Sequence, residues 1–324
     1  MKARKLGNSG LEVGPLMLGG NVFGWTADEP TSFNILDAFV AAGLSFIDTA
    51  DSYSTWAPGH KGGESETVIG NWFKRSGNRD KVTIATKVGS EIPAQGKGLS
   101  KAWILREVEE SLKRLQTDYI DLYQSHRDDP ATPVEETLEA YAQLVHQGKV
   151  RAIGCSNFTA ERTEQSLAAS RKHGWPSYVS LQPHYNLCER AGYETQLEPL
   201  ALKEHLGVIP YYGLASGFLS GKYHSEADLS KSLRGQAVKK YLNERGFRIL
   251  HALDQVAEKH GATPAQVALA WLMARPSITA PIASATSVQQ VNELVAATRF
   301  NLDSASVELL NQASAYEQQA ERIA

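Results

Sequence analysis

Cysteine is nearly absent from this sequence, which has two thiols, Cys155 and Cys188, in 324 residues. Two cysteines are too few for a disulfide framework, and these two lack the close spacing of a metal-binding pair. We therefore expect both to be reduced thiols, which is typical of a cytoplasmic protein.

Long apolar runs and an excess of one charge are also missing. No stretch approaches the ~18 apolar residues of a membrane span, and the N-terminus lacks the apolar segment of a secretory signal. The net charge is −3, so no basic surface is expected to bind nucleic acid. Hydrophobic residues make up 42% of the chain, enough for a sizeable core. These features predict a cytoplasmic globular protein without a membrane or nucleic-acid partner.

Short apolar segments alternate with helical patterns along the chain, after a predicted β-hairpin at residues 3–13. The expected strands cover residues 16–18, 46–47, 82–87, 119–123, 150–154, 178–181, 208–211 and 278–282. This pattern predicts the α/β class and a single (β/α)8 TIM-barrel domain over residues 1–324. The remaining residues are assigned to the hairpin, a long loop after strand seven and an extra C-terminal helix from Ser304. An open doubly wound sheet is the alternative, but residues 19–24 do not match Gly-x-Gly-x-x-Gly.

The predicted helix after the third barrel strand has a clear apolar stripe, formed by Ile104, Val108, Leu112 and Leu115. Its polar face places Glu109 four residues before Lys113 and Glu110 four residues before Arg114. We expect both pairs to form ion pairs on the outer surface.

Polar or aromatic side chains stand at the ends of six successive predicted strands. They are Asp48, Lys87, His126, Ser156 with Asn157, Gln182 and Tyr211. Because the carboxyl ends of barrel strands meet at one mouth, we expect these groups to converge there. Tyr53, five residues after Asp48, joins the same cavity.

This set of side chains predicts proton transfer to or from a carbonyl or alcohol oxygen. We expect the Lys87 ammonium to lower the pKa of Tyr53, and Asp48 to hold the ammonium in place and keep it charged. His126 would donate a hydrogen bond to the substrate oxygen. No side chain can donate a hydride, so the chemistry requires a cofactor.

Several segments together resemble the aldo-keto reductase family. They are Asp48-Thr49-Ala50-Asp51-Ser52-Tyr53, Thr86-Lys87, residues 121–127, residues 148–158 and residues 217–223. The resemblance implies a (β/α)8 barrel that reduces an aldehyde or ketone with NADPH or NADH. It makes Tyr53 the general acid, with Asp48 and Lys87 tuning it and His126 orienting the carbonyl.

The resemblance also implies a set of cofactor-binding residues. Gly20, Asn21 and Asp48 belong to it; Ser156, Asn157 and Gln182 would hold the nicotinamide carboxamide, and Tyr211 would stack on the ring. Gly213, Leu214, Ser216, Gly217 and Lys222 would cover the pyrophosphate. Ser284, Thr286, Gln290 and Glu293 would face the adenosine end.

The sequence departs from the family pattern at the expected 2′-phosphate site. Ala285 and Gln290 stand where the family often has a Lys or Arg, and Leu294 stands where an Asn is usual. The loss of a positive charge weakens the usual preference for NADPH over NADH. Arg234 or Lys239 would be substitutes.

Other interpretations remain open from the sequence. Relatives of the same family include potassium-channel β subunits, so a redox-sensing regulatory subunit that binds the cofactor is the main alternative. A metal-dependent hydrolase using His126, Asp128 and Asp48 is a weaker one, because the first strand has no His-x-His; we expect no metal. Trp25, Trp56 and His60 would line a substrate pocket for a small carbonyl compound, or else pack within loops. No motif defines the oligomeric state.

Overall fold

Parallel strands and helices alternate along the chain in the computed structural model, which describes residues 3–231 and 235–316. The sheet strands are β3 (Met17–Gly19), β4 (Phe46–Asp48), β5 (Thr83–Val88), β6 (Ile120–Ser125), β7 (Val150–Ser156), β8 (Tyr178–Gln182), β9 (Gly207–Val208) and β10 (Ile282–Ala283). The helices are α1 (Glu29–Ala41), α2 (Glu64–Ser76), α3 (Lys101–Leu115), α4 (Val134–His146), α5 (Ala160–His173), α6 (Glu198–Lys203), α7 (Gly235–Val238), α8 (Glu244–His260), α9 (Pro264–Ala274), α10 (Val288–Ala297) and α11 (Ser304–Ala313).

The eight strands form one parallel sheet in the order β10-β3-β4-β5-β6-β7-β8-β9. The two edges of this order meet, because Val208 pairs in parallel with Ile278 and Thr279 N donates to Val208 O at 2.8 Å. The sheet is therefore closed into a (β/α)8 barrel, and the doubly wound alternative is wrong. The seventh and eighth barrel strands, β9 and β10, were predicted at residues 208–211 and 278–282. They are regular only at Gly207–Val208 and Ile282–Ala283.

The hairpin closes the N-terminal end of the barrel. Strands β1 (Arg4–Lys5) and β2 (Glu12–Val13) pair antiparallel, as predicted. A Cβ at Gly7, where φ is +52°, would lie 2.2 Å from Val179 O, so only glycine fits this approach to the strands. Leu6 and Val13 pack against the barrel interior, which is formed by residues of successive strands.

Side chains alternate between the two faces of each barrel strand. Phe46 of β4 and Ala85 of β5 belong to the small interior cluster, whereas Ile47 and Ile84 pack outside against the helices. Two residues further along the same strands, Asp48 and Lys87 again face the barrel axis at its C-terminal mouth. This alternation explains how apolar strands deliver polar groups to one cavity.

The apolar stripe of α3 is confirmed, since its four predicted residues are buried between the helix and the sheet. The two predicted ion pairs on its surface are wrong. Lys113 contacts Glu110 at 3.0 Å, and Glu109 accepts from Lys149. Arg114 instead turns inward, because buried carboxylates between α2 and α3 attract its guanidinium.

The segment after β9 is less irregular than expected. Short helical turns occupy Ala215–Ser220, Glu226–Lys231, Gly235–Val238 and Lys239–Tyr241. The predicted C-terminal helix is present as α11, and the predicted capping box of α9 forms between Thr263 and Gln266. Cys155 and Cys188 are both buried and unpaired. None of the helices in the described residues combines the length and apolar character of a membrane span.

Candidate active site

Asp48, Lys87, Tyr53 and His126 meet at the C-terminal mouth of the barrel. Asp48 is the last residue of β4, Lys87 is near the end of β5, and His126 directly follows β6. Tyr53 reaches the same point from the turn after β4. The fourfold convergence predicted from strand spacing is therefore present in the structure.

The Lys87 ammonium is the centre of this group and is fully buried. It donates to Asp48 Oδ2 at 2.7 Å, to the backbone oxygen of Thr49 at 2.7 Å and to Tyr53 OH at 3.0 Å. Three acceptors match the three N–H groups of an ammonium. Its position and orientation are thus fixed by the protein before any ligand binds.

Burial and charge act in opposite directions on these groups. Burial lowers the pKa of Lys87, but Asp48 and Tyr53 outweigh it and the net pKa is raised, so the ammonium stays charged as expected. For Tyr53 the net direction is opposite to the expected one. Burial raises the pKa of its phenol, Lys87 lowers it as expected but by less, and the pKa reaches about 12. Tyr53 is therefore a protonated phenol at neutral pH.

His126 is a neutral imidazole at neutral pH. Burial, the Lys87 charge and the Arg127 charge together hold its pKa well below the usual range. Its ring lies edge-on to Tyr53, with the centroids 5.7 Å apart, and Ser52 Oγ lies 3.5 Å from Nδ1. A neutral imidazole can donate one hydrogen bond without adding a second positive charge beside Lys87.

Gln182 contacts the same carboxylate from the opposite side of the barrel. Its Nε2 donates to Asp48 Oδ1 at 2.9 Å. Because an ionised carboxylate only accepts hydrogen bonds, the amide nitrogen of Gln182 must face Asp48. The amide oxygen is then the atom that can accept a hydrogen bond from a ligand such as a carboxamide.

Ser156, Asn157 and Tyr211 form a connected group beside Gln182. Ser156 Oγ donates to Gln182 O, and Asn157 Nδ2 donates to His126 O at 2.9 Å. Tyr211 OH donates to Asn157 Oδ1 at 2.8 Å. Asn157 has a φ of +56°, a conformation that Asn tolerates better than most residues. These polar groups suit a nicotinamide carboxamide.

The predicted pyrophosphate segment follows Tyr212 at the mouth. Gly213 packs closely, since a Cβ there would lie 3.2 Å from Leu272 Cδ1. Ala215, Ser216 and Gly217 all have positive φ, and Leu214 precedes them. Lys222 is exposed just beyond, with its Nζ 5.2 Å from the centroid of the Tyr223 ring. A loop with this backbone and a nearby cation suits a phosphate group.

The residues predicted for the adenosine end lie around the start of α10. Gln290 Oε1 accepts from Thr286 N at 2.8 Å and from Thr286 Oγ1 at 3.2 Å. Ser284 Oγ donates to Asn21 Oδ1, and Gly20 N donates to Asp48 O at 2.7 Å. Glu293 is exposed.

The positions expected near a 2′-phosphate, and the basic residues expected to replace the missing cation there, have different surroundings. Ala285 and Leu294 are buried and carry no polar group toward the surface. Lys239 forms an exposed ion pair with Glu226 at 3.3 Å, and Arg234 lies outside the described residues. Gln290, in the first turn of α10, is exposed and polar.

Aromatic rings extend outward from Tyr53 and His126. Trp25, Trp56, Tyr53 and His126 lie edge to face in that order, with successive centroids 5.7, 5.5 and 5.7 Å apart. We call these four side chains the aromatic wall. Trp56 is 49% exposed, so a planar ligand has access to it.

His60, the third predicted pocket residue, has a local contact instead. Its Nδ1 lies 2.9 Å from Ser54 Oγ, within the loop after Tyr53. This contact favours loop packing over a direct pocket role.

Sequence reasoning missed Glu64, which holds the loop that carries Tyr53. Its carboxylate accepts from the backbone N–H groups of Ser54 at 3.3 Å, Lys61 at 2.7 Å and Gly62 at 3.0 Å. Gly62 and Gly63, both with positive φ, precede it and were the available signal. Three charge-assisted hydrogen bonds fix the loop at the start of α2.

A buried acidic group behind the site was also missed. Arg114 donates to Glu66 at 2.7 Å and to Glu107 at 2.6 Å, between α2 and α3. Asp51 is fully buried nearby, and neither of its carboxylate oxygens has a hydrogen-bond partner. Burial, followed by the charges of Glu66 and Glu107, raises the pKa of Asp51 well above its usual range. Asp51 is thus a neutral acid over a range where other aspartates are ionised.

The carboxylates of the hydrolase alternative are engaged elsewhere. Asp48 accepts from Lys87 and Gln182, and Asp128 accepts from Arg162 Nε at 2.8 Å. Within residues 3–231 and 235–316, no group of three or more His, Cys, Asp or Glu side chains is arranged to hold a metal.

The amino-acid sequence is similar to those of known barrel oxidoreductases and their relatives. The aldo/keto reductase family model matches residues 15–315. The uncharacterized oxidoreductase YrpG of Bacillus subtilis is 38% identical to this chain over 96% of the chain and 95% of its own length. Aldo-keto reductase AFTS1 of Alternaria alternata is 34% identical over 98% of the chain and 91% of its own length. A putative voltage-gated potassium channel subunit beta of Schizosaccharomyces pombe is 33% identical over 95% and 90%, respectively.

A closed parallel sheet with polar groups at its C-terminal mouth defines the (β/α)8-barrel class of fold. The chain belongs to the aldo/keto reductase family.

Proposed function

We propose that this protein reduces the carbonyl group of an aldehyde or ketone with NADPH or NADH. The observation that carries the proposal is the Lys87 ammonium, which contacts both Asp48 and the phenol of Tyr53 in a buried site. The bound cofactor supplies the hydride, which no side chain can provide. The residues of the chain bind and orient both ligands and deliver one proton.

Tyr53 acts as the general acid in this proposal. Its pKa of about 12 keeps the phenol protonated at neutral pH, so the proton is available when negative charge develops on the carbonyl oxygen. Lys87 stabilises the resulting phenolate through its 3.0 Å hydrogen bond. Asp48 keeps Lys87 charged and does not itself exchange the proton.

His126 orients the substrate oxygen. In the proposed arrangement the imidazole carries its hydrogen on Nε2, and Nδ1 is the acceptor facing Ser52 Oγ, 3.5 Å away. A neutral donor at this position polarises the carbonyl without competing with Tyr53 as an acid.

The residues fit a nicotinamide cofactor. The amide oxygen of Gln182 and the Ser156–Asn157 pair offer polar atoms for the carboxamide, and Tyr211 offers a ring face. Gly19 and Gly20 leave room beside Ser284 and Asp48, since a Cβ at Gly19 would lie 2.6 Å from Ser284 Oγ. Both cofactors remain candidates because Gln290 carries no charge for a 2′-phosphate.

A steady-state assay tests this proposal. We expect the purified protein to oxidise NADPH or NADH in the presence of para-nitrobenzaldehyde or a vicinal dicarbonyl. A panel of aldehydes, ketones and pyridoxal with both cofactors extends the measurement to substrate choice. Tight cofactor binding without turnover on any carbonyl would contradict the proposal.

A regulatory role is the second candidate function. It is favoured by the similarity to a protein named as a potassium channel subunit beta. In this role the site would bind the cofactor and exchange it slowly, and the binding state would be the signal. Fluorescence titration of the cofactor, together with single-turnover measurements, separates this role from steady-state reduction.

A further inference from the structure

The loop after β8 lies against the residues that follow β9 at the barrel mouth. Tyr211 N donates to Pro183 O at 3.0 Å, and Tyr211 forms an isolated parallel bridge with His184. The centre of this contact is Asn186, whose side chain is fully buried. Because a buried amide needs partners for both its oxygen and its nitrogen, the contacts of Asn186 show what it holds in place.

The oxygen of the Asn186 amide shapes its own loop. Oδ1 accepts from Cys188 N at 2.8 Å and from Glu189 N at 3.1 Å, which closes a tight turn. Arg245 holds this turn from outside by donating to Cys188 O at 2.7 Å. Lys240 also holds it, by donating to Glu189 Oε1 at 2.8 Å. The position of Asn186 is therefore set by the protein before any ligand binds.

The nitrogen of the same amide reaches two neighbours of Tyr211. Asn186 Nδ2 donates to Tyr212 O at 2.9 Å and lies 3.5 Å from His184 Nε2. Tyr212 has a φ of +56°, an uncommon conformation for a bulky residue. Its carbonyl accepts a second hydrogen bond from Ala215 N at 2.7 Å. The hydrogen bond from Asn186 thus supports a strained backbone immediately after Tyr211.

The rings of Tyr211, His184 and Tyr212 pack as a group of three. Tyr211 and His184 are stacked, with planes 17° apart and centroids 5.2 Å apart. Tyr212 lies edge-on to both, with its centroid 5.2 Å from that of Tyr211 and 5.3 Å from that of His184. A ring equidistant from two stacked rings lies beside the stack, so the second face of Tyr211 is covered by neither of them. Because Tyr211 is only half-buried, that face can contact a flat ligand.

Tyr211 is also linked to the proposed catalytic residues. Its OH donates to Asn157 Oδ1 at 2.8 Å, and Asn157 Nδ2 donates to His126 O at 2.9 Å. His126 is the inner end of the aromatic wall. Asn157 thus fixes the hydroxyl end of Tyr211, whereas Asn186 fixes its backbone.

We propose that Asn186 is a positioning residue for the nicotinamide ring of the cofactor, acting through the two neighbours of the Tyr211 ring. It holds His184 behind that ring and the Tyr212 carbonyl beside it. The inference rests on the proposed function, in which Tyr211 stacks on the nicotinamide. Asn186 contributes to affinity by fixing the Tyr211 ring in advance, so that less order must be imposed when the cofactor binds.

The test compares each nicotinamide cofactor with a ligand that lacks only the nicotinamide. The Kd of NADH or NADPH is measured by fluorescence, and that of ADP-ribose or 2′-phospho-ADP-ribose by competition. In Asn186→Asp the side-chain oxygen still accepts from Cys188 and Glu189, but the two N–H donors are lost. We expect the cofactor Kd to rise roughly 10-fold and the ADP-ribose Kd to change less than about 2-fold, because only the nicotinamide contacts Tyr211.

Two substitutions of His184 separate positioning from a general loss of stability. Both leave the hydrogen bonds within the Asn186 turn intact. His184→Ala removes the ring behind Tyr211 and should show the same selective loss of cofactor affinity. His184→Phe keeps a flat ring there and should restore most of that affinity. These variants decide the question if urea denaturation shows that Asn186→Asp does not fold.

Asn243→Asp is the matched control. Asn243 also accepts from a backbone N–H, that of Gly246, and donates to a backbone oxygen, that of Lys240, but it is exposed at the start of α8. The ratio of cofactor Kd to ADP-ribose Kd should not change in this variant.

An equal rise of both Kd values in Asn186→Asp and His184→Ala, or no rise in either, would overturn the inference. Wild-type protein that binds ADP-ribose as tightly as the cofactor would also overturn it, without affecting the proposed reduction. If the wild-type protein binds neither NADH nor NADPH, the proposed function itself fails.

Discussion

The amide of Gln182 donates a hydrogen bond to Asp48 Oδ1 at 2.9 Å, although the two residues are 134 positions apart. The other oxygen of Asp48 accepts from Lys87. A single carboxylate therefore joins β8 to the Lys87–Tyr53 pair. In the proposed function, this contact links the carboxamide site to the proton donor.

Replacing Gln182 with Met should destabilise the protein even without ligand. The substitution keeps the length of the side chain but leaves one oxygen of the buried Asp48 without its partner. We expect the free energy of unfolding to fall by about 1–3 kcal/mol, measured by urea denaturation. Gln255→Met on the exposed side of α8 is the control and should change it little. Equal effects of the two substitutions would show that the contact is not significant for stability.

Replacing Tyr53 with Phe should abolish reduction and leave cofactor affinity nearly intact. The variant loses the transferable proton but little volume, so we expect turnover to fall on the order of 10²–10⁴-fold. The measurements are kcat with para-nitrobenzaldehyde and cofactor Kd by fluorescence. Turnover close to that of the wild type would disprove the role of Tyr53.

Replacing Glu64 with Gln should lower kcat more than it changes cofactor Kd. The neutral amide holds the backbone N–H groups of Ser54, Lys61 and Gly62 less strongly than the carboxylate does. Tyr53 then loses part of its fixed position, and we expect a loss of about tenfold in kcat. Glu91→Gln is the control, because this carboxylate is exposed and forms a surface ion pair with Lys97. A loss confined to cofactor binding would contradict the interpretation of Glu64 as a positioning residue.

Replacing Asp51 with Asn should stabilise the protein increasingly as pH rises. Because burial raises the folded-state pKa of Asp51, the wild type must keep a proton that the unfolded chain releases above pH ~4. The contribution of the Asp51 carboxyl to the free energy of unfolding is complete below that pH. It is lost as the pH rises toward the folded-state pKa of Asp51. The Asn variant lacks this penalty, so its advantage in unfolding free energy should be larger at pH 8 than at pH 5.

Urea denaturation across this pH range measures the effect of Asp51→Asn. Asp254→Asn on the exposed face of α8 serves as the control. A pH-independent difference between Asp51→Asn and the wild type would show that Asp51 is ionised in the folded protein.

Replacing Gln290 with Arg should shift cofactor preference toward NADPH. The new guanidinium would lie at the start of α10 and offer donors to a 2′-phosphate, although the two contacts with Thr286 are lost. The measurement is the ratio of kcat/KM for NADPH and NADH. Gln289→Arg adds the same charge one residue away and should shift the ratio less. An unchanged ratio would show that the 2′-phosphate is bound elsewhere.

The sequence was sufficient for the architecture and for the convergence of Asp48, Tyr53, Lys87 and His126 at one mouth. A barrel strand places every second residue inward, and the regular spacing of Asp48, Lys87 and His126 at successive strand ends predicted their convergence. Strands seven and eight were placed less well. Beyond the regular ladder of β9, Tyr211 pairs only through an isolated bridge with His184, and Ile278 only through one with Val208.

The sequence could not predict which side chains from different helices and strands contact each other. The pattern on α3 suggested that Arg114 would pair with Glu110 on the surface, but two buried carboxylates, Glu66 and Glu107, attract it inward. The direction of the Tyr53 pKa shift was also predicted wrongly. The sign depends on whether burial or the Lys87 charge is larger, and burial is known only from the packed structure.

The chain itself determined which strands carry a polar group at the barrel mouth, because side-chain alternation is a local property of each strand. Only the tertiary structure decided which of these groups share hydrogen bonds and which are protonated. Gln182 meets Asp48, Glu64 holds the Tyr53 loop, and Arg114 turns inward to Glu66, because distance and burial are set by the closure of the barrel.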